Sequence, residues 1–146
     1  MDAIDLQIIH SLQKNARIPL KEIAKKVFLT SPAVSARIEK LESDGILTGY
    51  QATVSPYHMG YHIKAYVNLE IIPSQKPEVY PFLRSHPSVL ECDCVTGNYS
   101  LLLKVAFKST MELDQFIGEI QHFGKTSTQI VFSTIVDHRG VSEPIT

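Results

Sequence analysis

A chain of 146 residues has room for one ordinary domain or two small ones, and 44% hydrophobic with 20% charged content reads as folded and soluble. No apolar run approaches the roughly 20 residues a bilayer crossing needs. The opening MDAIDLQIIH lacks the basic region and apolar core of an export signal. Two cysteines without such a signal point to a reducing cytoplasm. The net charge of −1 conceals an uneven distribution: residues 14 to 40 hold seven bases against two acids, a local +5, whereas residues 51 onward are mildly acidic.

In chain order, Ile4, Ile8, Ile9 and Leu12 repeat at helical spacing behind Asp2 and Asp5, which predicts a first helix ending near Asn15. Pro19 opens a second helix, with Leu20, Ile23, Ala24 and Val27 inward and Lys21, Lys25 and Lys26 outward. Phe28 and Leu29 form a turn. Thr30 or Ser31 then supplies a hydroxyl cap, and Pro32 fits the first turn of a third helix. Val34, Ile38 and Leu41 make its buried stripe, and Asp44-Gly45 stops it. Residues 46 to 54, ILTGYQATV, read as a strand pair or wing bending at Thr48-Gly49.

The third helix carries what a major-groove helix needs: small polar residues at its start, Ala33 and Ala36 for close approach, and long bases for the phosphates. The expected DNA-facing set is Arg17, Thr30, Ser31, Pro32, Ser35, Arg37 and Lys40. The plainer alternative is a generic pair of capped amphipathic helices. The coincidence of turn length, capping, glycine stop and charge favours DNA.

A linker around residues 55 to 62 contains Pro56 and Gly60. Ile63, Ala65, Val67, Leu69 and Ile71 then alternate with polar residues in a half-buried strand. A helix over 76–85 follows, in which Pro77 suits the first turn and Pro81 suggests a kink or late start. Apolar runs at 89–96 and 99–107 flank Gly97-Asn98, a hairpin signal. Ser109 and Glu112 form a capping box for a helix whose inner face is Leu113, Phe116, Ile117 and Ile120. Residues 126 to 136, rich in β-branched side chains, read as the last strand. Two helices on one sheet face leave the other to be covered, most simply by a second subunit.

Asp5 with Ile8, Ile9 and Leu12, Asn15-Ala16-Arg17, Glu22-Ile23-Ala24, Leu29-Thr30, Val34, Arg37-Ile38, Leu41-Glu42 and Gly45-Ile46 resemble the N-terminal half of the leucine-responsive/asparagine-regulator (Lrp/AsnC) family of transcription regulators. The resemblance continues through Gly60, the strand from Tyr66 to Ile71 and Val95-Thr96-Gly97 to Val105. It implies an α+β chain: a winged helix-turn-helix over residues 1–50, a linker strand over 51–62, a βαββαβ ferredoxin-like (ACT-like) sensing and oligomerisation domain over 63–138, and a tail over 139–146. It also implies homodimers grouped into octamers and response to an amino acid.

The resemblance places the effector site near the hairpin, on Gly97, Asn98, Tyr99 and Ser100, with Thr126, Ser127 and Thr128 as further polar partners. Ser100 stands where the family usually has aspartate, which leaves open a different effector, a weak one or none. Gly97 and Asn98 also have the plainer reading of making the turn. Cys92 and Cys94, two apart on a strand, share one face and suit neither a disulfide nor, alone, a zinc site. The six histidines show no metal spacing. The sequence thus predicts a sequence-specific regulator that binds double-stranded DNA and an amino acid or related effector, with no metal, cofactor, membrane or enzymatic role. The alternatives are a ligand-free architectural DNA-binding protein and a tetrapyrrole decarboxylase of the same fold.

Overall fold

A computed structural model of the chain describes residues 1–141. Two units emerge: Met1–Thr53, joined by residues 137–141 of the tail, and Val54–Val136.

The first unit is a three-helix cluster. Helix α1, Ala3–Lys14, begins with a capping box: Asp2 accepts from the Asp5 amide and Asp5 accepts from the Asp2 amide, both at 2.9 Å. Helix α2 spans Leu20–Val27 and α3 spans Ser31–Ser43. Their apolar stripes meet in a core of Ile8, Leu12, Ile23, Ala24, Val27, Val34 and Leu41, with Ile38 and Leu47 at its edge. Thr30 caps α3, accepting from the Ala33 amide at 3.4 Å, and Pro32 lies in the first turn. At the other end the Ile46 amide donates to the Leu41 carbonyl and the Gly45 amide to Glu42. This Schellman closure needs a left-handed residue, and Gly45 supplies it at φ +70°.

The expected wing is absent: residues 46–54 form no strand. Ile46, Tyr50 and Val54 are exposed, Leu47 packs at the edge of the core, and the Tyr50 hydroxyl donates to Glu42 at 2.8 Å. A strand requires a neighbouring strand for its amides and carbonyls, and among the described residues this segment pairs with none.

The second unit runs β1 (Ile63–Leu69), α4 (Lys76–Ser85), β2 (Val89–Cys94), β3 (Leu101–Phe107), α5 (Thr110–Ile120), β4 (Thr126–Ile130). All pairings are antiparallel, in the order β2-β3-β1-β4. Ala65, Val67 and Leu69 alternate onto one face with Leu101, Leu103, Val105 and Phe107. Val79 and Leu83 of α4, and Leu113, Phe116 and Ile120 of α5, close over them.

Helix α4 starts where the sequence places it and continues through Pro81. Both Pro77, whose carbonyl loses its helical donor, and Pro81 are exposed, so water meets the lost bond. The strands are shorter than expected. The β2–β3 connection is a six-residue loop over 95–100, closed by the Val95 amide donating to Ser100, rather than a two-residue turn. Strand β4 ends at Ile130 rather than 136. The turn before β4 rests on Gly124, where a Cβ would lie 1.8 Å from the Glu70 carbonyl oxygen, leaving room for glycine alone.

Candidate functional site

The helix-turn-helix of the first unit presents α3 beside the lysines of α2. Pro32, Ala36 and Lys40 are exposed along α3, with Ser31 and Ser35 half-exposed between them. The Ser35 hydroxyl donates to Glu39 at 3.2 Å. Lys21, Lys25 and Lys26 are exposed on α2; Lys25 lies 3.4 Å from Glu22, a solvent-screened pair of little energetic weight. Thr30 uses its hydroxyl as the cap acceptor, and Arg17 is exposed in the α1–α2 turn.

Arg37 departs from the sequence expectation. Its guanidinium donates to Asp5 at 2.7 Å and to Asp2 at 2.9 Å, tying α3 to the N-terminus of α1. The Asp5 amide, and then Arg37, hold the Asp2 carboxyl below its ordinary range, while the hydrogen bonds to Asp5 and Asp2 raise the guanidinium's own pKa. Helical position alone assigned Arg37 to phosphates; at 32% side-chain exposure it is a brace within the unit. Periodicity could not reveal this, because the partners lie more than 30 residues away. The sequence expectation also omitted Lys21 and Lys26, which its own outward stripe on α2 identified.

In the second unit a groove of about 440 Å³ lies between the 95–100 loop and the segment leaving β1. Gly97, Asn98, Tyr99 and Ser100 come together in it, joined by Glu70, Lys76 and Tyr80. Thr126 and Thr128 do not line it. They sit within β4, paired to Leu69 and Val67, and the Thr126 hydroxyl accepts from the Gln121 side-chain Nε2 at 3.3 Å. Glu70 and Lys76 carry opposite charges at the groove, and no sequence signal distinguished them from other surface residues. Ser100 faces the backbone of Ile71: its hydroxyl donates to the Ile71 carbonyl at 3.0 Å and accepts from the Ile71 amide at 3.2 Å.

Cys94 lies 3.2 Å from the Tyr80 hydroxyl. Burial, then the neighbouring Cys94 thiol and Asp93, push the Cys92 thiol up to about 11, so it stays protonated and a poor nucleophile. Among the described residues no three His, Cys, Asp or Glu side chains converge as metal ligands, and no helix is long and apolar enough to cross a membrane.

Comparison with known proteins places both units. Residues 1–42 match the AsnC-type helix-turn-helix domain, and residues 64–141 match the Lrp/AsnC ligand binding domain. The chain belongs to the Lrp/AsnC family of transcription regulators. An HTH-type regulator of Bacillus subtilis, YezC, is 37% identical over 94% of this chain and 98% of its own. The proline dehydrogenase transcriptional activator of Rhodobacter capsulatus is 34% identical over 97% of each. Among solved structures, B. subtilis LrpC superposes with a TM-score of 0.88 at 27% identity, covering 94% of this chain and 99% of that one. A Neisseria meningitidis regulator solved with L-methionine gives 0.89 at 26% identity, covering 99% and 97%. As a family member, the chain is a DNA-binding transcription regulator with a small-molecule-binding second domain.

Proposed function

We propose that this Lrp/AsnC regulator inserts α3 of each subunit into successive major grooves, with half-sites about one helical turn, ~10 bp, apart or at multiples of that spacing. The observation that carries this reading is the continuous exposed edge of Ser31, Pro32, Ser35, Ala36 and Lys40, beside the α2 lysines. Lys21, Lys26 and Lys40 take the phosphates, Ser31 and Ser35 face the base edges, and Arg37 braces α3. Binding to duplexes selected from a random-sequence pool, measured against salt, tests this assignment. Lys40→Ala and Lys26→Ala should each reduce the magnitude of the salt slope by about 1, the worth of one phosphate contact, whereas Arg37→Ala should leave it unchanged. Wild-type slopes in both lysine variants would remove α3 and α2 from the interface.

The groove by the 95–100 loop is the proposed effector site, and a free amino acid fits its charges. Lys76 would take the carboxylate, Glu70 the ammonium, and Asn98 and Tyr99 the edge of the side chain. The methionine complexes of the Neisseria regulator and of a Mycobacterium tuberculosis relative support an amino acid as the ligand class. A ligand-free reading rests on Ser100, whose hydroxyl is committed to Ile71. A thermal-shift screen of the twenty amino acids separates the two: a ligand at 100 times its Kd stabilises by about 2.7 kcal/mol, and twenty flat curves would favour the ligand-free protein. The working assembly is a homodimer, grouped into octamers, acting in the cytoplasm.

A further inference from the structure

Phe28 is an anomaly in an otherwise well-patterned unit. It lies between α2 and α3 at φ 55° and ψ 42°, the left-handed region that a bulky side chain disfavours. Its backbone is required there: the Phe28 and Leu29 amides both donate to the Ala24 carbonyl and close α2. Its side chain is not required by the fold, since 93% of the residue is exposed. Glycine would close the same turn without strain and without placing a phenyl ring in water. A strained, solvated aromatic residue that contributes nothing to its own unit points to a contact outside it.

The surroundings select the partner. Phe28 follows Lys25 and Lys26 and precedes the Thr30 cap of α3, inside the stretch of the chain where base exceeds acid most strongly. A neutral or basic protein surface would not favour that setting; a polyanion does. In the major groove the apolar feature is the thymine 5-methyl group, which a phenyl ring can cover. We infer that Phe28 packs on a thymine methyl at the edge of each half-site, adding a base preference that hydrogen bonds from α3 do not supply. This rests on the proposal that α3 enters the major groove.

The test replaces thymines, one at a time within one half-site of a selected duplex, by deoxyuridine. That change removes the methyl and keeps every hydrogen bond. For the wild-type full chain, affinity should fall about fourfold at one position, the worth of one buried methyl. Phe28→Gly should bind the thymine duplex more weakly, be indifferent to uridine at that position, and keep the wild-type salt slope. It should also melt about 3 °C higher, because the strain is gone. Phe28→Tyr, which keeps the ring, should retain the uridine effect. The inference is overturned if Phe28→Gly binds as tightly as wild type, if no uridine effect disappears with the ring, or if the variant melts lower. Lys40→Ala separates the two proposals. Weakened binding there, with Phe28→Gly unaffected, leaves the groove assignment standing and removes Phe28; the converse takes Lys40 off the phosphates and leaves the Phe28 contact standing.

Discussion

Arg37 and Asp2 meet across 35 positions of sequence, and their pairing turns a residue on the DNA-reading helix into part of the scaffold. The α1 capping box already holds two carboxylates close together, and the guanidinium neutralises both. Removing it leaves Asp2 and Asp5 repelling one another at a helix N-terminus. Arg37→Gln should therefore lower the melting temperature of the first unit, and added salt should shrink the difference because the pair is solvent-screened. The pH dependence follows from the lowered Asp2 pKa. Its stabilisation is complete above the ordinary value of 3.8 and is lost as pH falls through the lower value in the folded state. In Arg37→Gln that acid loss should shrink, because part of the depression comes from Arg37. Melting curves across the acid range check both points; an Arg37→Gln profile superimposable on wild type would show the ion pair to be inert.

Strand and helix patterning were legible in the sequence wherever an element's partner lies within the same chain. The α3 stripe, the alternation of β1 and the Ser109 cap reappear in the fold, whereas Leu20 of the expected α2 stripe is 40% exposed and Glu112 accepts from the Lys108 amide rather than from Ser109. What the sequence could not show is which polar groups each element binds in three dimensions. Ser100 is the clearest case. Its place in the hairpin suggested a ligand contact, yet its hydroxyl stitches the start of β3 to the chain leaving β1 through both backbone groups of Ile71. Ser100→Ala should cost about 1–3 kcal/mol, since Ile71 loses a donor and an acceptor in a part-buried setting. Ser100→Asp is more diagnostic. An ionised carboxylate can accept from the Ile71 amide but faces the Ile71 carbonyl with like charge, so its folded-state pKa is raised. The variant should be less stable than Ser100→Ala at neutral pH and recover as pH falls and the carboxyl regains a proton to donate. Denaturant midpoints at two pH values measure this; no recovery in acid would show that the carbonyl contact contributes little.

At the scale of the whole molecule, the two places where strand-like sequence failed to form strands share a cause. Residues 46–54 and 131–136 carry β-branched and aromatic residues, but among the described residues they pair with no strand; the Ile46 and Leu47 amides donate to Leu41, and the Val131 amide to the Lys64 carbonyl. Phe132 is fully exposed and Ile135 is 90% exposed, while Tyr50, Val54, Tyr57 and Met59 are also uncovered. The sheet face opposite the helices carries Tyr66 and Leu102, both half-buried. Apolar groups in this number are unfavourable in water, and unpaired strand edges accept further strands. In the proposed homodimer, a second copy of the chain would cover the exposed face and unpaired edge of the second unit. The wild-type protein should therefore sediment as a dimer or larger at micromolar concentration, with a melting temperature that rises with concentration. Phe132→Ser combined with Ile135→Ser should shift it to monomer while leaving the helical content of α1–α3 intact. DNA affinity should fall in the same variant without any change on α3, because two half-sites are no longer engaged by one linked body. A wild-type protein that stays monomeric at every concentration, or a double variant that assembles unchanged, would assign those exposed residues to something other than self-association.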